Sequence, residues 1–130
     1  MTTAPIPTPL RQALQQQPDL AFAVLVGSRA TGTQRPDSDW DIALQWAPTV
    51  DAYSALGATE TLRRQLAQAL QQPQTAVDLI DLRRANLAMR ASVAEEGQAL
   101  HIANDLAWAH FLERTWRELE QFEWEQRHAA

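Results

Sequence analysis

Apolar residues along this chain change their spacing from one segment to the next, and those changes predict its elements. Thr8 to about Gln17 reads as a short amphipathic helix, entered through a proline-rich tip and ended before Pro18-Asp19. Leu20 to Val26 is an unbroken apolar run, the pattern of a strand buried on both faces. Gly27 stops that run, and Arg29 to Ser38 is a polar loop with room for one helical turn after Ser28. From Asp39 to Trp46 the residues alternate: Asp39, Asp41 and Ala43 fall on one side, Trp40, Ile42 and Leu44 on the other.

The period then lengthens. Asp51 is placed to cap a helix reaching about Gln72, with Leu56, Leu62, Leu66 and Leu70 as its buried stripe and Pro73 as its stop. Thr75 to Leu82 reads as a third strand, Ala85 to Glu95 as a helix stopped by Gly97, and Gln98 to Ile102 as a short fourth strand. Asn104-Asp105 opens a final helix running to about Arg127. The expected fold is therefore α/β (α+β): a small mixed sheet flanked by helices, as one domain over residues 1–130, with its core at about 8–102 and a long C-terminal helix at about 104–127.

Composition narrows the classes of function. At 130 residues, 45% of them hydrophobic and 21% charged, the chain suits one soluble domain with a real core. No apolar run is long enough to span a bilayer, and Met1 to Pro7 lacks the charged flank and apolar stretch of a secretory signal. Absence of cysteine removes disulfides and thiolate metal sites and suits a reducing cytoplasm, the expected location. All 11 basic residues are arginine and the net charge is -5, which argues against a nucleic-acid backbone as substrate. A single nucleotide is not excluded, because metal can neutralise its phosphates.

The candidate chemistry lies between the first two strands. Gly27-Ser28, ten intervening residues and Asp39-Trp40-Asp41 set a phosphate cradle at fixed reach from two carboxylates. Gly27 allows close backbone approach, while the Ser28 hydroxyl and amide can face an anion. Asp39 and Asp41 leave one strand face about 6–7 Å apart at the backbone, and such hard oxygen ligands suit Mg²⁺. A two-metal phosphoryl site calls for a third acid, and the third strand offers Asp78 and Asp81 on opposite faces. Asp78 is chosen because a carboxylate among Val77, Leu79 and Ile80 is costly without a partner, whereas Asp81 can cap the next helix. Arg29 and Arg35 border the pocket as phosphate forks, with Arg29 ranked first because it adjoins Ser28.

Gly27-Ser28, Asp39-x-Asp41 and the later Val77-Asp78-Leu79 resemble the DNA polymerase β nucleotidyltransferase superfamily. More narrowly, the chain resembles the minimal nucleotidyltransferase (MNT) antitoxins that partner HEPN-domain toxins. The likeness runs from Phe22 to about His101 and includes Leu87, Glu96-Gly97 and Leu100-His101. It implies a polymerase-β-like nucleotidyltransferase fold with ATP as donor. Gly27 and Ser28 would hold the β/γ-phosphates, Asp39 and Asp41 would ligate Mg²⁺, and Asp78 would serve a second metal and the incoming hydroxyl. The implied reaction moves AMP to a tyrosine of a cognate HEPN ribonuclease toxin, silencing it within a hetero-oligomer. Trp40 departs from the aliphatic residue usual between the two acids; it points away from the metal face, toward core packing or a partner.

The last helix predicts a buried stripe of Trp108, Leu112, Leu119 and Phe122, with Trp116 and Trp124 off it as candidates for a protein interface. His101, His110 and His128 have no ligand spacing. Two other functions fit the sequence: a toxin-binding module without chemistry, and a nucleotidyltransferase acting on a small molecule such as an aminoglycoside.

Overall fold

The computed structural model describes residues 5–129; the sequence readings that touch residues 1–4 and 130 lie outside them. In chain order the elements are α1 (Thr8–Gln15), β1 (Leu20–Val26), α2 (Ser28–Thr31), β2 (Trp40–Trp46), α3 (Ala52–Leu70), β3 (Val77–Asp81), α4 (Leu87–Glu96), β4 (Gln98–Ile102) and α5 (Asp105–Arg127). The four strands form one sheet in the order β3-β2-β1-β4. β1 pairs antiparallel with both β2 and β4, while β2 and β3 run parallel, joined by α3 as a crossover. The expected mixed sheet between helices is the observed one.

β1 is apolar throughout because both of its faces are covered. On one side Ala23 and Leu25 join Ile42, Leu44, Val77 and Leu79 against α1 and α3. On the other, Phe22, Val24 and Val26 meet Ala43, Val93 of α4 and Phe111 of α5. Phe22 anchors the second layer, with Trp108 edge-on at 5.0 Å and Phe111 at 5.6 Å.

Two predicted stripes needed correction. In α3 the Asp51 carboxylate caps Ser54 N at 2.7 Å as expected, but Leu56 is 52% exposed. The buried face keeps the expected Leu62 and Leu66, with Leu70 partly buried, and adds Ala55 and Ala67. Its phase is fixed by Trp46, whose indole N–H donates to Thr59 Oγ1 at 3.0 Å and turns the 55/59/62 face to the sheet. In α5 the buried positions are Phe111 and Thr115, and Phe122 is 49% exposed. A helix this long spans about 34 Å, against about 23 Å for a seven-residue strand, so its last turns run past the body. Trp116 and Trp124 are exposed, as expected of off-stripe positions. β3 is shorter than predicted because Asp81 Oδ1 accepts from Arg83 N at 3.0 Å and closes a turn.

Gly97 ends α4 with extended backbone (φ −68°, ψ 146°) rather than a left-handed cap. Its value is closeness: a Cβ there would overlap Val24 Cγ1 and the Val93 carbonyl, where β4 turns back onto β1. Gly97→Ala is expected to destabilise the fold by about 1–3 kcal/mol, as overpacking does, seen as a lower midpoint in thermal or urea unfolding.

Candidate active site

β1 ends at Val26, directly opposite Asp41 of β2, and the chain leaves the sheet through Gly27. Gly27 has φ 73° and ψ −158°, a conformation that side chains disfavour. A Cβ on Gly27 would overlap Asp41 Oδ2, so only glycine lets this turn lie against the carboxylate. The chain at once makes α2, a single turn in which Ala30 N and Thr31 N bond Gly27 O at 3.1 and 3.3 Å. Gly32, at φ 81°, closes the turn in left-handed geometry. Ser28 is half-buried at its start, where first-turn amides have no intrahelical partners.

The parallel register sets Asp41 of β2 beside Asp78 of β3. Paired residues point to the same face on strands about 4.8 Å apart, and Asp39, two residues before Asp41, shares that face. Repulsion follows. The Asp41 carboxyl is held above the usual carboxylate range, first by burial, then by Asp78, then by Asp39. None of the three carboxylates makes an ion pair with any described arginine.

Burial is distributed differently from the sequence expectation. Asp78 was singled out because mid-strand burial would be costly, yet it is exposed, since β3 is an edge strand with apolar cover only at Val77 and Leu79. The desolvated member is Asp41. Asp81 takes the capping role foreseen for it, bonded to Arg83 N.

Arg29 stands where adjacency to Ser28 suggested a phosphate fork, but its guanidinium is engaged elsewhere. Nε and Nη2 donate to Ser38 O at 3.2 and 2.8 Å, and the guanidinium carbon lies 4.1 Å from the centre of the Trp40 ring. Arg29 thus fastens α2 to the residue preceding Asp39. Trp40 is buried on the opposite face from the acids, and its ring serves as the platform for that arginine. This staple was not legible from spacing: the bulky aromatic between the acids was its one sign. Arg35 stays exposed, its backbone N donating to Ser38 Oγ at 2.7 Å.

Among the described residues no three acidic or histidine side chains already converge in a ligating cluster. The donor set nevertheless fits a hard divalent cation: oxygen-only, mutually repelling and without a basic partner, beside a turn kept free of a β-carbon. The site opens to solvent, with Gly27, Asp39 and Asp78 exposed.

Residues 9–106 match the family model described as polymerase beta, nucleotidyltransferase. The chain is 39% identical over 83 residues, 64% of its length, to the protein adenylyltransferase MntA of Shewanella oneidensis, and the match spans 55% of that protein, about half of it. Among solved structures it is similar to a crystal structure of a toxin–antitoxin with AMP-PNP, at 29% identity and a TM-score of 0.70, covering 92% of this chain and 91% of that one. A crystal structure of the toxin–antitoxin MntA–HepT is similar at 27% identity and a TM-score of 0.61, covering 90% and 86%.

Because folding raises the Asp41 pKa, the native state holds that proton more tightly than the unfolded chain. The associated stability is complete below the unfolded carboxyl value of about 4 and is lost as pH rises through the folded value. In EDTA at pH 7, Asp41→Asn is therefore expected to melt above the parent protein, and the gap should close near pH 3. Equal melting temperatures at both pH values would contradict the repulsion described here.

Proposed function

The chain belongs to the polymerase β nucleotidyltransferase family, and from that membership we propose that it is an antitoxin acting as a protein adenylyltransferase. It would take ATP, transfer AMP to a hydroxyl, with tyrosine the expected residue, on a cognate HEPN-domain toxin, and so neutralise it. The observation that supports the reading is the placement of Asp41 beside Asp78 in the sheet register and against the Gly27 turn, with Asp39 near enough to raise the Asp41 carboxyl. The likenesses to an adenylyltransferase and to a toxin–antitoxin with AMP-PNP support it.

In this proposal Asp39, Asp41 and Asp78 would hold two Mg²⁺ ions, which would supply charge neutralisation on the triphosphate and acidify the acceptor hydroxyl. Gly27 and Ser28 take the β/γ-phosphates: glycine lets the turn lie against the Asp41 carboxylate, and the Ser28 hydroxyl and amide donate to the phosphate oxygens beside it. Arg29 acts behind them, holding the turn to the Asp39 segment through Ser38 O and Trp40, so cradle and acids keep a fixed separation. The acceptor oxygen attacks the α-phosphorus as the bond to the β-phosphate oxygen breaks. Pyrophosphate leaves with that electron pair, and the acceptor proton passes toward Asp78, which is exposed on the edge strand β3.

A second reading has a specific observation behind it. Trp116, Phe122 and Trp124 stand exposed along the C-terminal half of α5, a surface able to occlude a toxin without chemistry.

One experiment separates the two. With purified protein, Mg-ATP and the cognate HEPN-domain toxin, the toxin should gain mass in AMP increments. Asp39→Ala with Asp41→Ala should cut that transfer by about 10³-fold or more, the scale of losing transition-state electrostatics, while the fold persists. A double variant that still neutralises the toxin with no mass gain would favour occlusion.

A further inference from the structure

At the far end of the face that carries the acids, a cavity of about 300 Å³ lies between β2, α4 and the first turns of α5. Gln45 at its rim is four residues beyond Asp41 along β2, about 13 Å away. Its polar lining is cationic or donor-rich: Arg83, Arg90 and Arg114, with His110 and Asn104, and no carboxylate among the described lining residues. In a chain of net charge -5, three of the 11 arginines meet here.

Arg90 is the unusual member. It is 8% exposed, and its Nε and Nη1 are buried without a hydrogen-bond partner. A buried guanidinium with two unmade bonds is costly, and its one ion pair, Nη2 to Glu118 Oε2 at 2.6 Å, leaves most of its fork unused. The same Glu118 carboxylate lies 3.5 Å from Arg114 Nε, so it bridges two of the cavity's arginines from a half-exposed position on α5. Arg83 is held by Val50 O at 2.6 Å and, more loosely, by Asp81 at 3.9 Å. The α5 N-terminus adds its positive end: Asn104 caps Ala107 N at 3.0 Å at the cavity wall, partly offset by Asp105 in the first turn. Glu118, Asp81 and Asp105 lie around these arginines but do not line the cavity, so the charged groups on its wall are Arg83, Arg90 and Arg114.

We propose that this cavity is a second anion site, independent of metal and separate from the carboxylate cluster, which takes the phosphate groups of a small polyphosphate. Arginine forks arriving from three segments suit a tetrahedral oxyanion better than a planar one, and the volume is that of a small-molecule pocket. Glu118 is the internal occupant of part of the site: an entering phosphate competes with its carboxylate for Arg90 and Arg114. That competition makes the site testable in both directions.

The probe is inorganic pyrophosphate, titrated calorimetrically into the full chain in EDTA so that metal-dependent binding at Asp39 and Asp41 is silent. Parallel titrations of orthophosphate, AMP and ATP distinguish an inorganic source from a nucleotide one. One saturable site per chain is expected, weakened about tenfold or more by Arg83→Gln with Arg114→Gln, the loss of charge-assisted bonds. Glu118→Gln should tighten it several-fold, an effect that loss of a purely structural ion pair does not produce. Arg90 itself is left intact, because its burial makes misfolding the simplest outcome of changing it. The proposal is overturned by any of three results: no saturable heat with pyrophosphate, unchanged affinity in the arginine variant with its fold intact, or an equal response to succinate.

Discussion

The rest of the site depends on one contact, the backbone of Gly27 lying against the side chain of Asp41 where any β-carbon would collide. It joins the end of β1 to the start of β2 across their antiparallel pairing, at Val26 opposite Asp41. Everything nearby serves that approach. The positive φ of Gly27 turns the chain into α2, Gly32 closes the turn, and Arg29 ties it to Ser38 with Trp40 as backing. The arrangement costs free energy, since Asp41 is partly desolvated and faces two like charges. Strain and like-charge repulsion thus gather at the candidate site, as they often do at functional sites.

The sheet separates packing from chemistry. Its α1/α3 side is filled with aliphatic side chains and Trp46, and presents nothing reactive. The other side is divided along β2. Ala43 lies under the Phe22 layer, the acids lie toward the N-terminal end of the strand, and the arginine-lined cavity lies beyond its C-terminal end. Opposite charges therefore occupy the two ends of one face, with an apolar span between them that keeps Asp41 and Arg90 from pairing.

Much of this was legible in the sequence, because periodicity and spacing are local. The continuous run Leu20–Val26, the alternation after Asp39, the caps at Asp51 and Asn104 and the Gly-Ser to Asp-x-Asp spacing each survive into the structure within a residue or two. What was not legible depended on neighbours distant in the chain. The α3 stripe is out of phase with Leu56 because a tryptophan 13 residues upstream bonds Thr59. Asp78 is exposed because strand order, which no local pattern encodes, leaves β3 at the margin. The use of Arg29 required knowing that Ser38 folds back over it. The overrun of α5 came from comparing its length with a sheet whose size the sequence does not state.

The marginal position of β3 has a consequence for how any acceptor reaches the acids. Among the described residues no strand lies beyond β3 and Asp78 is exposed, so the approach is lateral. Such a doorway needs no hinge to admit a bulky macromolecule, and product can depart without a gating motion. It also admits solvent as freely as anything else. In the proposed reaction, discrimination against hydrolysis would then fall to the acceptor, whose own surface would seal the opening while its nucleophile is in place.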